Sequence, residues 1–198
     1  MDPSAVEKAK RRLVKAEQCL AQIILPHPEG HAGFLPVWTD FLLALSGIYS
    51  VLEQGAKASP QSRQWFGGKK QFRRQDPLLQ YLHQARNADE HGILPISRLE
   101  PPTIRFLSGD DSLMENIVIH DNGITIPETP AVKVPTQIEV MSPLIRLTRV
   151  FDTRYGDSYD PPDTHLGKPL EDSTPLTVAT LGMVYMRELV LEAERIAQ

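Results

Sequence analysis

Three residues in the stretch QARNADEHG, residues 84–92, have side chains suited to chemistry: Arg86, Asn87 and His91. An arginine stays charged at any physiological pH and offers a forked set of donors to a phosphate. A histidine takes and gives a proton near neutral pH. An asparagine can orient either group through its amide. Together they suit acid–base chemistry at a phosphate ester. The same stretch also reads as the charged end of a helix. Arg86 and Glu90 are four residues apart and can pair across one turn. His91 in a last turn meets the negative end of the helix dipole. At about 100° per residue, an intact helix points Arg86 and His91 about 140° apart. A shared site then requires the helix to loosen near Gly92, Arg86 to reach around, or two chains to build the site between them.

A second group lies just upstream in SRQWFGGKKQFRRQ, residues 62–75. Arg63, Lys69, Lys70, Arg73 and Arg74 interleave with Trp65, Phe66 and Phe72. Cations neutralise phosphates, and aromatic rings stack on unpaired bases. Gly67 and Gly68 permit close approach of a backbone. The segment has no clear periodicity and reads as a loop or short helical turns. It either binds a single-stranded nucleic acid or is a solvated basic loop that its aromatics pin to the body.

The remaining histidines carry less. His27 and His31 flank PEG in a segment broken by proline and glycine, without the Cys or carboxylate cluster of a metal site. His83 lies eight residues before His91 on nearly the same helical face, as a helper or a surface residue. His165 stands near Asp157, Asp160 and Asp163 in an acidic loop that could hold a cation or pair with the basic segment, and that reads first as a structured loop without a ligand. HLGK lacks the glycine run and Ser/Thr of a phosphate loop, and G-x-S-x-G, H-E-x-x-H and C-x-x-C are absent. No cofactor is implied.

The elements that must position these residues are legible in part. Residues 1–25 form a helix capped by Asp2 and opened by Pro3, with a Ser4–Glu7 capping box as the alternative start. Val6, Ala9, Leu13, Ala16, Leu20 and Ile23 or Ile24 give it one apolar face. Residues 34–57 form a second helix with a wide apolar face (Phe34, Trp38, Phe41, Leu42, Leu45, Ile48, Tyr49, Leu52), and Gly55 fits its C-cap. Residues 76–92 form a third, capped by Asp76, opened by Pro77 and ended by Gly92. After Pro95, Pro101 and Pro102 the pattern changes to short β-branched runs, with HDNGI as a tight hairpin. This gives a small antiparallel sheet over 103–151, then a structured loop over 152–173. Thr174 and Pro175 open a last helix, whose inward positions include Leu176, Ala179, Met183, Met186, Val190, Ala193 and Ala197. It returns to the first three. The fold class is α+β: a helical bundle with the sheet inserted between its third and fourth helices, within a single domain spanning 1–198.

Composition is that of an ordinary globular chain of 198 residues, 41% hydrophobic and 23% charged. No apolar run approaches the roughly 20 residues of a membrane span, and no signal-peptide core is visible. The single cysteine, Cys19, cannot form an internal disulfide, so a reducing cytoplasm is the default. It reads as a packed small side chain. The net charge of −4 argues against a general nucleic-acid binder. It divides into +3 over residues 1–92 and −7 over 93–198, a basic half for an anion and an acidic half for solvent or a partner protein.

ARNADEH, an arginine followed by a polar residue and then a histidine on a helix in an all-helical half, resembles the R-x4–6-H signature of the HEPN superfamily. The resemblance covers about residues 1–92 plus the final helix. Gly92 after His91, and Ile93 where a tyrosine is frequent, depart from the pattern. So does the β-rich second half. The resemblance implies a helical bundle acting as a homodimer, a metal-independent endoribonuclease of the toxin or phage-defence kind. It carries over Arg86 and His91 as catalytic residues and Asn87 as their support. Arg63, Trp65, Lys69, Lys70, Arg73 and Arg74 would then hold the RNA, and an antitoxin or other partner would meet the acidic half. The competing expectation is a non-catalytic HEPN-like module for dimerisation and protein interaction.

Overall fold

Proline at the first position of a helix fits the fixed φ of the first turn, and a Ser, Thr or Asp before it satisfies a free backbone N–H. The computed structural model uses this start four times. Helix α1 (Pro3–Ile23) is capped by Asp2, which accepts from the Ser4 N–H at 2.8 Å. Helix α3 (Pro60–Gln75) is capped by Ser59, α4 (Pro77–His91) by Asp76 and α5 (Pro175–Ala197) by Thr174. Helix α2 (His31–Ala56) instead follows Gly30, whose φ of 56° lies in the left-handed region. The structure describes residues 1–25, 27, 29–107, 118–120, 123–125, 137–152 and 154–198.

The chain divides into two compact units, one of Met1–Arg98 with Ile145–Gln198 and one of Leu99–Leu144. In the first unit the helices share one core. Trp38, Phe41, Ile48 and Leu52 of α2 are buried with Leu78, Leu79 and Tyr81 of α4 and Val178, Met183 and Leu189 of α5. Helix α5 packs against α1, α2 and α4, completing the bundle as expected. Against the expectation that no apolar run approaches a span, α2 is by length and composition apolar enough to cross a membrane; half of its most apolar window is buried in the bundle. Leu176 is exposed rather than inward, and Val178, Gly182 and Leu189 are buried on α5 instead.

Two expectations about the helices need correction. Residues 58–75 are not a loop: α3 occupies Pro60–Gln75. Only Ser62 and Phe66 are fully buried on it, so its apolar stripe is too thin to register as a period. Gly55 is not a C-cap but lies inside α2. A Cβ there would collide with Ala5 of α1, so the glycine permits close approach of two helices.

The single sheet expected over 103–151 is, among the described residues, a set of two-stranded antiparallel ladders and pairs. In the second unit, β2 (Thr103–Leu107) pairs with β5 (Gln137–Met141), in register from Thr103↔Met141 to Leu107↔Gln137. Strands β3 (Val118–His120) and β4 (Gly123–Thr125) form the hairpin expected at HDNGI, closed by His120↔Gly123. The strand expectations at 112–117 and 131–135 lie outside the described residues. Strand β1 (Ser97–Glu100) pairs with β6 (Leu144–Leu147). The segment 152–173 contains more regular structure than a loop. Strand β7 (Val150–Asp152) pairs with β8 (Asp157–Tyr159), and β9 (Thr164–His165) with β10 (Lys168–Pro169).

Candidate functional site

Helix α4 is held at three points. At its start the buried Asp76 carboxylate accepts the Leu79 N–H at 3.0 Å through Oδ1 and the Leu166 N–H at 2.8 Å through Oδ2. His165 Nδ1 lies 2.9 Å from Oδ1, and both side chains are buried. At mid-helix the Tyr81 hydroxyl donates to the Thr148 carbonyl at 2.8 Å, while Leu78, Leu79, Leu82 and Ala85 enter the core. At its end the Gly92 N–H donates to the Ala88 carbonyl at 2.8 Å. A Cβ at Gly92 would sit 2.5 Å from that carbonyl oxygen, so only glycine fits without a shift.

The helix runs intact through His91 and does not loosen ahead of it. Arg86 and His91 nevertheless lie near the same carboxylate oxygen. Arg86 Nη2 lies 2.6 Å from Glu90 Oε2, and His91 Nε2 lies 3.7 Å from the same oxygen. The two nitrogens are therefore no farther apart than those two distances laid end to end. Long side chains lean around the helix, and the angular separation at Cα does not limit their tips. Arg86 Nη1 donates to Asn87 Oδ1 at 3.3 Å, and Asn87 Nδ2 donates to Gln84 Oε1 at 3.2 Å. Arg86 Nε is buried without a partner. The His91 side chain is 71% exposed and that of Arg86 27%. Thus the three motif residues and Glu90 form one polar row.

The basic segment is spent largely inside the molecule. Trp65 Nε1 donates to Glu192 at 2.9 Å, and Lys69 pairs with the same carboxylate at 2.6 Å. Lys70 pairs with Glu53 at 2.7 Å. Arg73 lies 4.4 Å over the Tyr49 ring. Phe66 is buried, and Phe72 stacks on Tyr185. Arg63 and Arg74 face solvent. Nothing lies within 4 Å of a Cβ built at Gly67 or Gly68, so both positions have room for a side chain.

Arg73, Arg74 and Arg86 act together on His83. Burial first, and then the charges of these three arginines, push its pKa down to about 4, with Asp152 opposing. His83 is therefore neutral at neutral pH and half-buried rather than a surface residue. It lines a cleft with Ser46, Tyr49 and Arg73 whose free volume, about 20 Å³, is that of roughly one water. Burial raises the Tyr49 pKa and lowers that of Arg73. Arg73 Nε is buried without a partner, whereas the Tyr49 hydroxyl interacts with that of Tyr185.

His31 is not in a loop but opens α2, with Nε2 2.9 Å from the buried Ser97 hydroxyl. His27 packs edge-on against Phe34. Cys19 is buried, which pushes its thiol pKa up, as befits a packed side chain. Asp160 grips Arg149 through two bonds of 2.6 and 2.9 Å. Among the described residues no three His, Cys, Asp or Glu side chains gather as a metal site. The sequence offered no signal for the Asp76–His165 pair, whose members are 89 positions apart. It did show Glu90 in reach of Arg86, but not that His91 would share the same oxygen. Comparison with protein-family models, curated proteins and solved structures finds no match, so the site stands on its own geometry.

Proposed function

We propose that the protein is a metal-independent endoribonuclease of HEPN type, working in the cytoplasm as a homodimer in a toxin or phage-defence role. One observation carries this reading: Arg86 and His91 converge on a single anionic oxygen, Glu90 Oε2. In this reading a non-bridging phosphate oxygen takes the place of that oxygen. In the reaction the 2′-oxygen attacks phosphorus as its proton leaves, and the 5′-oxygen departs as it gains one. His91 moves these protons, Arg86 neutralises the phosphorane, and Asn87 holds the guanidinium. The product ends are a 2′,3′-cyclic phosphate and a 5′-hydroxyl. Arg63 and Arg74 are the accessible cations of the basic segment, while Trp65, Lys69, Lys70 and Arg73 reach RNA only by leaving their present partners.

The test is cleavage of a labelled RNA pool in EDTA by the wild type, Arg86→Ala and His91→Ala, with product ends analysed. Chelator-resistant cleavage giving cyclic-phosphate ends, lost in both variants, supports the enzyme. A second reading, a non-catalytic dimerisation module that takes a partner protein on its acidic half, is favoured by the Arg86–Glu90 pair, which locks the guanidinium locally. Absence of cleavage by folded proteins selects that module.

A further inference from the structure

Four helices enclose the cleft that His83 lines, with Ser46 and Tyr49 from α2, Arg73 from α3, His83 from α4 and Met186 from α5. Its free volume, about 20 Å³, admits one atom the size of a water oxygen, and one side is open to solvent. Ser46, Arg73 and His83 are half-buried, and among the described residues none of them has a hydrogen bond or an ion pair. Of their polar side-chain atoms only Arg73 Nε is closed off, so the terminal guanidinium nitrogens, the Ser46 hydroxyl and the imidazole stay within reach. Arg73 lies 4.4 Å over the Tyr49 ring, which attracts a cation without cancelling its charge. Glu53, whose charge acts on Arg73, is already paired with Lys70 at 2.7 Å. The cleft thus sets a half-buried cation beside two uncommitted polar groups. We propose that it takes a terminal oxygen of a phosphate dianion, as inorganic phosphate or as a small phosphate monoester. Neither Arg86 nor His91 lines the cleft, so the proposal does not rest on the nuclease reading.

Three features favour a phosphate. First, a guanidinium, a hydroxyl and the N–H of a neutral imidazole are all donors, and a phosphate oxygen accepts from each. Holding Arg73 partly out of water without a counter-ion costs free energy, which a bound anion recovers. Second, Arg74 is next in the chain and faces solvent, has no ion pair among the described residues, and its charge reaches His83. The two arginines together match the charge of about −1.5 to −2 that a monoester carries at pH 7. They exceed the single charge of a halide or a diester. Asp152 opposes them at His83, with a smaller effect than any of the arginines that act there. Third, a cleft one atom wide admits a single terminal oxygen and leaves the phosphorus and any ester chain at the open side. The site therefore reads the phosphate and tolerates what it is attached to.

The probes are inorganic phosphate, a nucleoside 5′-monophosphate and dimethyl phosphate, each compared with chloride at equal ionic strength. Thermal melting and titration calorimetry measure binding, and the imidazole proton resonances of His83 and His91 locate it. Phosphate should raise the melting temperature of the wild type above its value in chloride, and should shift the His83 resonance and not that of His91. Arg73→Gln should weaken phosphate binding by about tenfold or more, and Ser46→Ala by several-fold. Circular dichroism checks the fold, and Ser46→Ala, which deletes one oxygen atom, decides the matter if Arg73→Gln does not fold. Equal affinity for phosphate and the monophosphate supports a site for the phosphoryl group alone, and tighter binding of the monophosphate supports a site for an ester. If chloride stabilises as much as phosphate, or dimethyl phosphate binds as well, the dianion site is overturned. If affinity falls in Arg86→Ala but not in Arg73→Gln or Ser46→Ala, the anion sits in the polar row and the cleft assignment falls. It falls also if none of the probes binds.

Discussion

His165 Nδ1 lies 2.9 Å from Asp76 Oδ1, joining strand β9 to the first turn of the helix that bears Arg86 and His91. The same carboxylate also caps α4 and receives the Leu166 N–H, so one buried group fixes both the helix start and the strand. Asp76→Ala removes the cap and leaves His165 buried without its partner. It should destabilise the protein by about 3 kcal/mol in urea unfolding. His165→Ala should cost less, because two backbone N–H groups still satisfy the carboxylate. Equal effects would show that the pair, and not the cap, holds the site.

Acid should loosen the bundle through His83. Its folded pKa, about 4, lies below the ordinary histidine value, so between about pH 6.5 and 4 the unfolded chain binds the extra proton. Stability is then full above about pH 6.5 and falls as pH drops toward 4, by on the order of 2–3 kcal/mol. His83→Gln should remove this part of the pH dependence. Urea midpoints at pH 7 and pH 4.5 for both proteins provide the check, and parallel losses would exclude His83 as the source.

Glu90 occupies the place assigned to a phosphate oxygen. Glu90→Gln should therefore raise affinity for single-stranded RNA several-fold, with the gain greatest at low salt. Stability should change by no more than about 0.5 kcal/mol, as expected of an i,i+4 surface pair. Filter binding at 50 and 200 mM salt measures the first effect and thermal melting the second. Weaker binding would mean that Glu90 positions Arg86 rather than competing for it.

Glycine replacements should separate crowded from open helix positions. Gly55→Ala drives a methyl group into Ala5 and should lower the melting temperature. Gly67→Ala and Gly68→Ala meet nothing within 4 Å on α3 and should each stabilise by about 0.5–1 kcal/mol. Calorimetry of the three variants decides, and a loss at Gly67 or Gly68 would mean that α3 bears a contact on that side.

Helix starts were readable because a cap followed by proline is a local signal, and Asp2, Asp76 and Thr174 all act as their neighbours imply. Ser59–Pro60 carries the same signal. It was masked by Gly67, Gly68 and a run of charges that read as loop, since burial on α3 is confined to a thin stripe. The HDNGI hairpin was equally local. The site was legible only as a list of side-chain types. Neither the shared Glu90 oxygen nor the diversion of Lys69 and Trp65 to Glu192 is encoded in spacing. Lys69 and Glu192 are 123 positions apart, and tertiary packing alone brings them together. The cleft at His83 is likewise built from distant segments, 42–49, 73–83 and Met186.

The bond from the Thr148 N–H to the Ile96 carbonyl pins the chain's exit from the helical unit beside its return. Everything between those two residues is, for the helical unit, a loop whose ends are already closed. The entropy of closing such a loop grows only with the logarithm of its length, so its contents can shrink or grow at little cost. The helical unit is thus permissive to cargo. A short glycine–serine turn in place of residues 99–144, or an unrelated small domain spliced at the same point, should leave α4 and its polar row in place. The second unit is then a cassette, whose own role can be studied by swapping it.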